Sequence, residues 1–188
     1  DRIAPATFGT ISADGSIIAI VSADPLSEND TNNDPDVYIY EVATGAMTLI
    51  SMADDGSPIG GPVLDQPAIS EDGRYTAFST VSPLNASDTN HRNDIYVYDR
   101  TTGENLRVSV DSDGDEGAEG SYTPAISADG RHIAFTSDAV LTTNETLSRD
   151  VFVHDRDTDR NGIFDEDGGT STVLISVADD GTAAIGNS

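Results

Sequence analysis

Apolar residues in this chain come in short runs separated by stretches of Asp, Asn, Ser, Thr and Gly. In the middle of the chain the first run is Pro67 to Ser70, followed by an acidic Asp72-Gly73 turn that reads as a two-residue hairpin signal. The second run is Arg74 to Thr80. A polar loop, Ser82 to Asn93, leads to a third run, Ile95-Tyr96-Val97-Tyr98, and after a Thr102-Gly103 turn a fourth covers Leu106 to Val110. Helical spacing is absent, so the pattern predicts strands and almost no helix. The third run is apolar or aromatic at every position, as are Val37-Tyr38-Ile39-Tyr40 and Val151-Phe152-Val153. A strand with one wet face alternates, so these strands are expected to be covered on both faces. Four-stranded sheets packed face to face supply that cover.

The whole pattern recurs. Pro67-Ala68-Ile69-Ser70-Glu71-Asp72-Gly73-Arg74 returns as Pro124-Ala125-Ile126-Ser127-Ala128-Asp129-Gly130-Arg131, and a weaker copy holds Ile11-Ser12-Ala13-Asp14-Gly15. The marker glycines Gly15, Gly73 and Gly130 are 58 and 57 residues apart. A fixed period of this size marks stacked units, none of which buries its apolar face alone. The chain divides into 1–59, 60–118 and 119–188, an all-β array of three four-stranded blades.

The motif Pro-x-Ile-Ser-x-Asp-Gly-Arg, followed by Asp94-Ile95-Tyr96-Val97-Tyr98-Asp99-Arg100-Thr101-Thr102-Gly103, resembles the WD40-like (TolB-type, PD40) β-propeller repeat. The likeness covers nearly the whole chain. The first repeat departs from it, with Thr7 to Thr10 in place of the Pro-Ala start and Ser16 in place of Arg. The resemblance implies four antiparallel strands per blade and leaves the activity open, because such propellers serve many roles. Closed propellers usually have four to eight blades. Three would leave two apolar blade faces wet, so a partial propeller is expected, completed by flanking sequence or by self-association. Head-to-tail joining of copies is in frame: Gly181 to Ile11 of a following copy is 18 residues, against 13 from Gly56 to Ile69. Such a contact closes as a ring or runs on as a fibre.

Composition narrows the partners. Thirty-four acidic residues face nine arginines, no lysine is present, and the net charge is −25. That balance excludes nucleic acid and anionic membranes as default partners and favours cations. The alternative is acidity for solubility or high salt. Cysteine is absent, so neither disulfides nor thiolate metal sites arise. No apolar run is long enough for membrane insertion. The start at Asp1 fits a processed chain or a piece of a larger one.

The third repeat is longer: Ser109 to Ser176 spans 67 residues where Ser51 to Ser109 spans 58. The insertion, residues 155–168, carries Asp157-Thr158-Asp159-Arg160-Asn161-Gly162-Ile163-Phe164-Asp165. It resembles the calcium loops of EF-hand, dockerin and thrombospondin type 3 proteins, D-x-D-x-N-G-x-x-D. In that register Asp157, Asp159, Asn161, the Ile163 carbonyl and Asp165 are the ligands, and Gly162 makes the sharp turn. Six to eight oxygens suit Ca²⁺. Gly168 replaces the twelfth-position Glu, so Glu166 or Asp167 must substitute. A second register, from Asp155, puts Glu166 twelfth but loses the turn glycine. A weak site is expected, with Kd on the order of 0.1–1 mM. The alternative is a solvated acidic tip without metal.

Acidic clusters also precede the third strands: Asp30-Thr31-Asn32 to Asp36, Asp88-Thr89-Asn90 to Asp94, and weakly Asn144-Glu145-Thr146 to Asp150. Their short oxygen side chains could hold Ca²⁺ or cap turns through Asx hydrogen bonds, and turn-making is the expected role. Asp111 to Glu116 is a weaker cation candidate. Sequons at Asn29, Asn85 and Asn144 stand at about chance frequency.

His132 aligns with Tyr75 and Ile17, and His154 with Tyr98 and Tyr40, all packing positions, while His91 is a loop residue without a paired partner. No nucleophile elbow or zinc-spaced His pair occurs. The chain therefore reads as a non-catalytic, secreted or cell-surface, calcium-binding propeller module that binds an unidentified protein or glycan or acts as a scaffold. The alternatives are a self-assembling subunit of a fibre or surface layer, and a propeller hydrolase or its accessory domain.

Overall fold

The computed structural model describes residues 8–58, 61, 63, 65–143 and 149–179. Thr7, the 59/60 division, Asn144 to Thr146 and the junction after Gly181 lie outside the described residues. Among the described residues twelve strands form three antiparallel sheets of four. The first holds β1 (Phe8–Ile11), β2 (Ile17–Ser22), β3 (Asp36–Glu41) and β4 (Ala46–Leu49). The second holds β5 (Ala68–Ile69), β6 (Tyr75–Thr80), β7 (Asp94–Asp99) and β8 (Glu104–Arg107). The third holds β9 (Ser121–Ile126), β10 (His132–Ser137), β11 (Asp150–Asp155) and β12 (Ser171–Leu174). Within each sheet the strands lie in chain order, and no helix occurs among the described residues. The sheets stack without closing, a partial propeller.

The repeated Ile-Ser-x-Asp-Gly signature has a local physical cause. In blade two the Ser70 hydroxyl donates to Asp72 at 2.7 Å and accepts from the Tyr75 N–H at 3.0 Å. Asp72 also accepts from the Arg74 N–H at 2.9 Å. Ser12–Asp14 and Ser127–Asp129 repeat the arrangement. The side chains satisfy the turn's polar groups, and the glycine takes the left-handed conformation. The turns are also chained across blades: Ala13 donates its N–H to the Glu71 carbonyl at 3.0 Å, and Glu71 donates to Ala128 at 2.9 Å. A Cβ on Gly73 would lie 2.7 Å from Ile17, and one on Gly130 only 2.2 Å from the Tyr75 ring. The marker glycines therefore serve both the turn and the approach of the preceding blade.

Two apolar cores lie between the sheets. Ile17, Val21, Val37, Ile39 and Ile50 of blade one meet Phe78, Leu84 and Tyr96 of blade two. Tyr75, Ala77, Ile95, Val97 and Val108 of blade two meet Ile133, Phe135, Leu141 and Phe152 of blade three. β7 is buried from Asp94 to Val97, as expected for a strand covered on both faces. β11 differs. Its burial alternates, Val151 is 39% exposed, and neighbouring Val173 and Ile175 are 48% and 49% exposed. No sheet among the described residues covers this face, so the expectation of two-sided cover fails at the terminal blade.

The fourth strand of blade two ends earlier than the apolar run suggests. β8 stops at Arg107. Beyond it the Ile95 N–H donates to the Ser109 hydroxyl at 3.0 Å rather than to a backbone carbonyl, which ends the ladder.

Candidate metal centres

The insertion between β11 and β12 folds back onto blade two instead of standing in solvent. Arg156 is 3% exposed. Its guanidinium donates to both oxygens of Asp165 and, at 2.9 Å, to the Gly130 carbonyl. It also lies over the rings of Tyr75 and Phe164, 4.6 and 4.9 Å from their centroids, and those rings are 5.5 Å apart. This stack combines a buried bidentate pair with cation–π contact. Beside it a cleft of about 1030 Å³ opens among Arg74, Tyr98, Asp99, Asn105, Leu106 and Phe164.

The residues expected to hold calcium separate into two groups. Asp155 is bound by the Arg131 fork at 2.7 and 2.6 Å, which together with the Asp157 N–H holds its carboxyl at about 2. Asp165 is taken by Arg156 and has a positive φ of 64°. Both carboxylates are thus neutralised by guanidinium groups. The other group gathers on Asn161. Asp157 accepts from the N–H groups of Asn161 and Gly162 at 3.0 and 3.1 Å. Asp159 accepts from the Asn161 N–H at 3.2 Å, and the Asn161 side-chain amide donates to Asp159 and Glu166. Arg160 and Gly162, at φ 60° and 84°, make the tight tip. Ile163 and Asp167 are exposed. An all-oxygen set of Asp157, Asp159, Asn161 and Glu166 suits a hard cation, whereas Asp155 and Asp165 would have to leave their arginines to join it.

A second carboxylate cluster lies elsewhere. Among the described residues one set of three has oxygens all within 4.8 Å of one another: Asp88, Asp94 and Glu116. β7 supplies Asp94, the loop before it Asp88, and the turn after β8 Glu116. The Tyr96 hydroxyl donates to Asp88 Oδ2 at 2.6 Å. The Ser109 hydroxyl and the Asn90 amide donate to Asp94 at 2.5 and 3.1 Å. Glu116 accepts from the Thr89 N–H and hydroxyl at 2.8 and 2.6 Å and from Arg107. Burial pushes Asp94 up to about 6 despite Ser109 and Arg107. Burial also acts to raise Glu116, but Thr89 and Arg107 outweigh it and hold it near 2.

Blade one repeats part of this arrangement. The Tyr38 hydroxyl donates to Asp30, and Ser51 and Asn32 donate to Asp36. The Asn32 N–H turns back to Asp30 at 3.2 Å, the Asx turn expected from the sequence. Blade three retains the Ser176 to Asp150 bond at 2.6 Å. Arg107 and Glu116 are peculiar to blade two: Leu49 and Leu174 occupy the Arg107 place, and Pro58 the Glu116 place. Along the chain Asp88–Asp94 and Asp111–Glu116 read as separate loops, and Arg107 belongs to no motif. An arginine at a repeat position that is otherwise leucine is the signal that could have joined them.

His154 is 2% exposed, and its Nδ1 lies 2.9 Å from the Thr172 hydroxyl. Its position in the β11 interior is a packing one.

No family model matches the chain, and no curated protein matches it. Solved structures do. The chain is similar to a TolB protein of Agrobacterium tumefaciens, with TM-score 0.50 and 18% identity over 78% of this chain and 41% of that one. It is also similar to the tricorn protease, with TM-score 0.52 and 16% identity over 94% of this chain and 18% of that one. The chain thus spans less than half the length of either. At these identities the likeness concerns the fold: an open, all-β stack of three four-stranded sheets of β-propeller architecture.

Proposed function

We propose that this chain is a non-catalytic, extracellular, calcium-binding propeller module acting as a scaffold or in binding a protein or glycan. The observation that supports this reading is the gathering of Asp157, Asp159 and Glu166 on Asn161 at the tip of the insertion. Those residues, with the Ile163 carbonyl and Asp167, would hold Ca²⁺; Asp155 and Asp165 stay with Arg131 and Arg156 and anchor the loop. The set is short of strong ligands, which fits a weak site filled at the millimolar calcium found outside cells. Calcium held by the folded chain alone raises its stability by RT ln(1 + [L]/Kd), about 1–2 kcal/mol at ten times a weak Kd. The test is the melting temperature in calcium and in chelator at low ionic strength, for the parent chain and for Asp157→Asn/Asp159→Asn. A rise with calcium that the double variant diminishes supports the proposal; an equal response in both chains refutes it.

The exposed face of blade three favours a second reading, a self-assembling subunit. Val151, Val153 and Ile175 stand at the repeat positions of Ile95, Val97 and Val108, which are buried between blades two and three. A blade presented by another copy would bury them in the same way. A chain that stays monomeric in light scattering at high concentration overturns this reading.

A further inference from the structure

We propose that Asp88, Asp94 and Glu116 form a second, buried site for a hard divalent cation of the calcium class. This inference is independent of the insertion in blade three. Three observations carry it. First, the three carboxylates offer oxygens within 4.8 Å of one another, a spacing two ligands can span across one ion at about 2.4 Å each.

Second, Asp88 Oδ1 has no hydrogen-bond partner, although the Asp88 side chain is 0% exposed. Buried carboxylate oxygens are normally satisfied, and an orphan costs free energy unless something fills its place. The hydrogen bond from Tyr96 uses the opposite oxygen of Asp88. Oδ1 therefore remains for an ion.

Third, the local charge does not balance. Three carboxylates face one guanidinium. Arg107 Nη1 is bonded to Glu116, and Nη2 donates to the Ser87 carbonyl at 3.0 Å. Nη1 stays 3.8 Å from Asp88 Oδ1, beyond hydrogen-bond length. One guanidinium, bonded to Glu116 and within ion-pair distance of Asp88, faces all three carboxylates, so the cluster keeps an excess of negative charge. Blade one has the equivalent pair, Asp30 and Asp36, but Pro58 stands in the place of Glu116, so that turn supplies no carboxylate. The site is therefore specific to blade two.

Terbium is the probe, because the Tyr96 phenol touches a ligand and would sensitise its emission. The experiment uses the Asp157→Asn/Asp159→Asn chain, in which the insertion is disabled, so failure here and failure of the calcium reading above remain distinct. Excited through tyrosine, this chain is expected to give terbium emission that calcium displaces. Glu116→Gln should weaken terbium binding at least tenfold. Tyr96→Phe matches Phe152 at the same position of blade three. It should keep terbium affinity by calorimetry and lose most of the sensitised emission, which provides a readout if Glu116→Gln fails to fold. No emission in the loop-disabled chain, an unchanged affinity in Glu116→Gln, or undiminished emission in Tyr96→Phe overturns the proposal.

Discussion

At the scale of single residues, the repeat is written in positions with two duties. Gly130 is a turn residue at φ 78° and also the floor on which Tyr75 rests. Gly103 has a similar φ of 79°, and nothing lies within 4 Å of the point where a Cβ would stand. Gly103→Ala should therefore cost about 1 kcal/mol from the left-handed backbone alone. Gly130→Ala adds overpacking against the neighbouring blade, for a total of about 2–4 kcal/mol. Denaturant midpoints compare the two, and equal losses would sink the close-approach argument. His154 predicts a pH effect. Burial pushes its imidazole from 6.5 down to about 4, against the nearby carboxylate of Asp165. The unfolded chain takes up this proton below about 6.5, the folded chain only near 4. The resulting stability is complete above pH 6.5 and is lost as the pH falls toward 4, on the order of 3 kcal/mol in all. Asp36 and Asp94, raised to about 6 by burial, act with the opposite sign between about 4 and 6. Comparing the parent chain with His154→Phe isolates the histidine: the difference in melting temperature should change across pH 6.5–4 and be flat above it.

At the scale of elements, the insertion of blade three works as a latch on blade two. Arg156, Phe164 and Asp165 fill the groove where Gly130 meets Tyr75. Arg156→Ala breaks a buried pair and should cost about 3 kcal/mol, because the Asp165 carboxylate is left without its partner. Phe164 is half-buried, so Phe164→Ala should cost about 1–2 kcal/mol. Unfolding in denaturant measures both; losses below about 0.5 kcal/mol, ordinary for surface changes, would restore the solvated-tip reading. The latch also takes two carboxylates out of the proposed calcium registers. One acidic ligand of the pattern, Asp165, and its upstream neighbour Asp155 are committed to guanidinium forks that fasten the loop to the sheet.

For the whole molecule, the open end of the stack matters most. Blades one and two each bury an apolar face against the next, and the corresponding face of blade three is left exposed at Val151 and Ile175. Apolar side chains exposed in this way are what the proposed association between copies would use. If copies associate through it, Ile175→Lys should reduce association at least tenfold in sedimentation while leaving the melting temperature of the monomer nearly unchanged. Association that persists undiminished places the contact elsewhere.

The strands and their order were legible in the chain because they rest on local periodicity. Ile95 to Tyr98 and the Ser70–Asp72–Gly73 turn repeat one backbone solution at a fixed interval. Backbone hydrogen bonding and alternation act over a few residues, so local rules suffice to read strands, turns and repeat alike. The tight turn at Gly162 was legible for the same reason. The partners of the charges were not. Glu116 meets Thr89 from 27 residues away, and Arg107 reaches Ser87 from 20. Arg156 completes its site with the Gly130 carbonyl, 26 residues upstream, and the Tyr75 ring of the adjacent blade. Side-chain electrostatics depends on which loops the stacking of blades brings together. Which carboxylates are neutralised by arginine is therefore set in three dimensions and not along the chain.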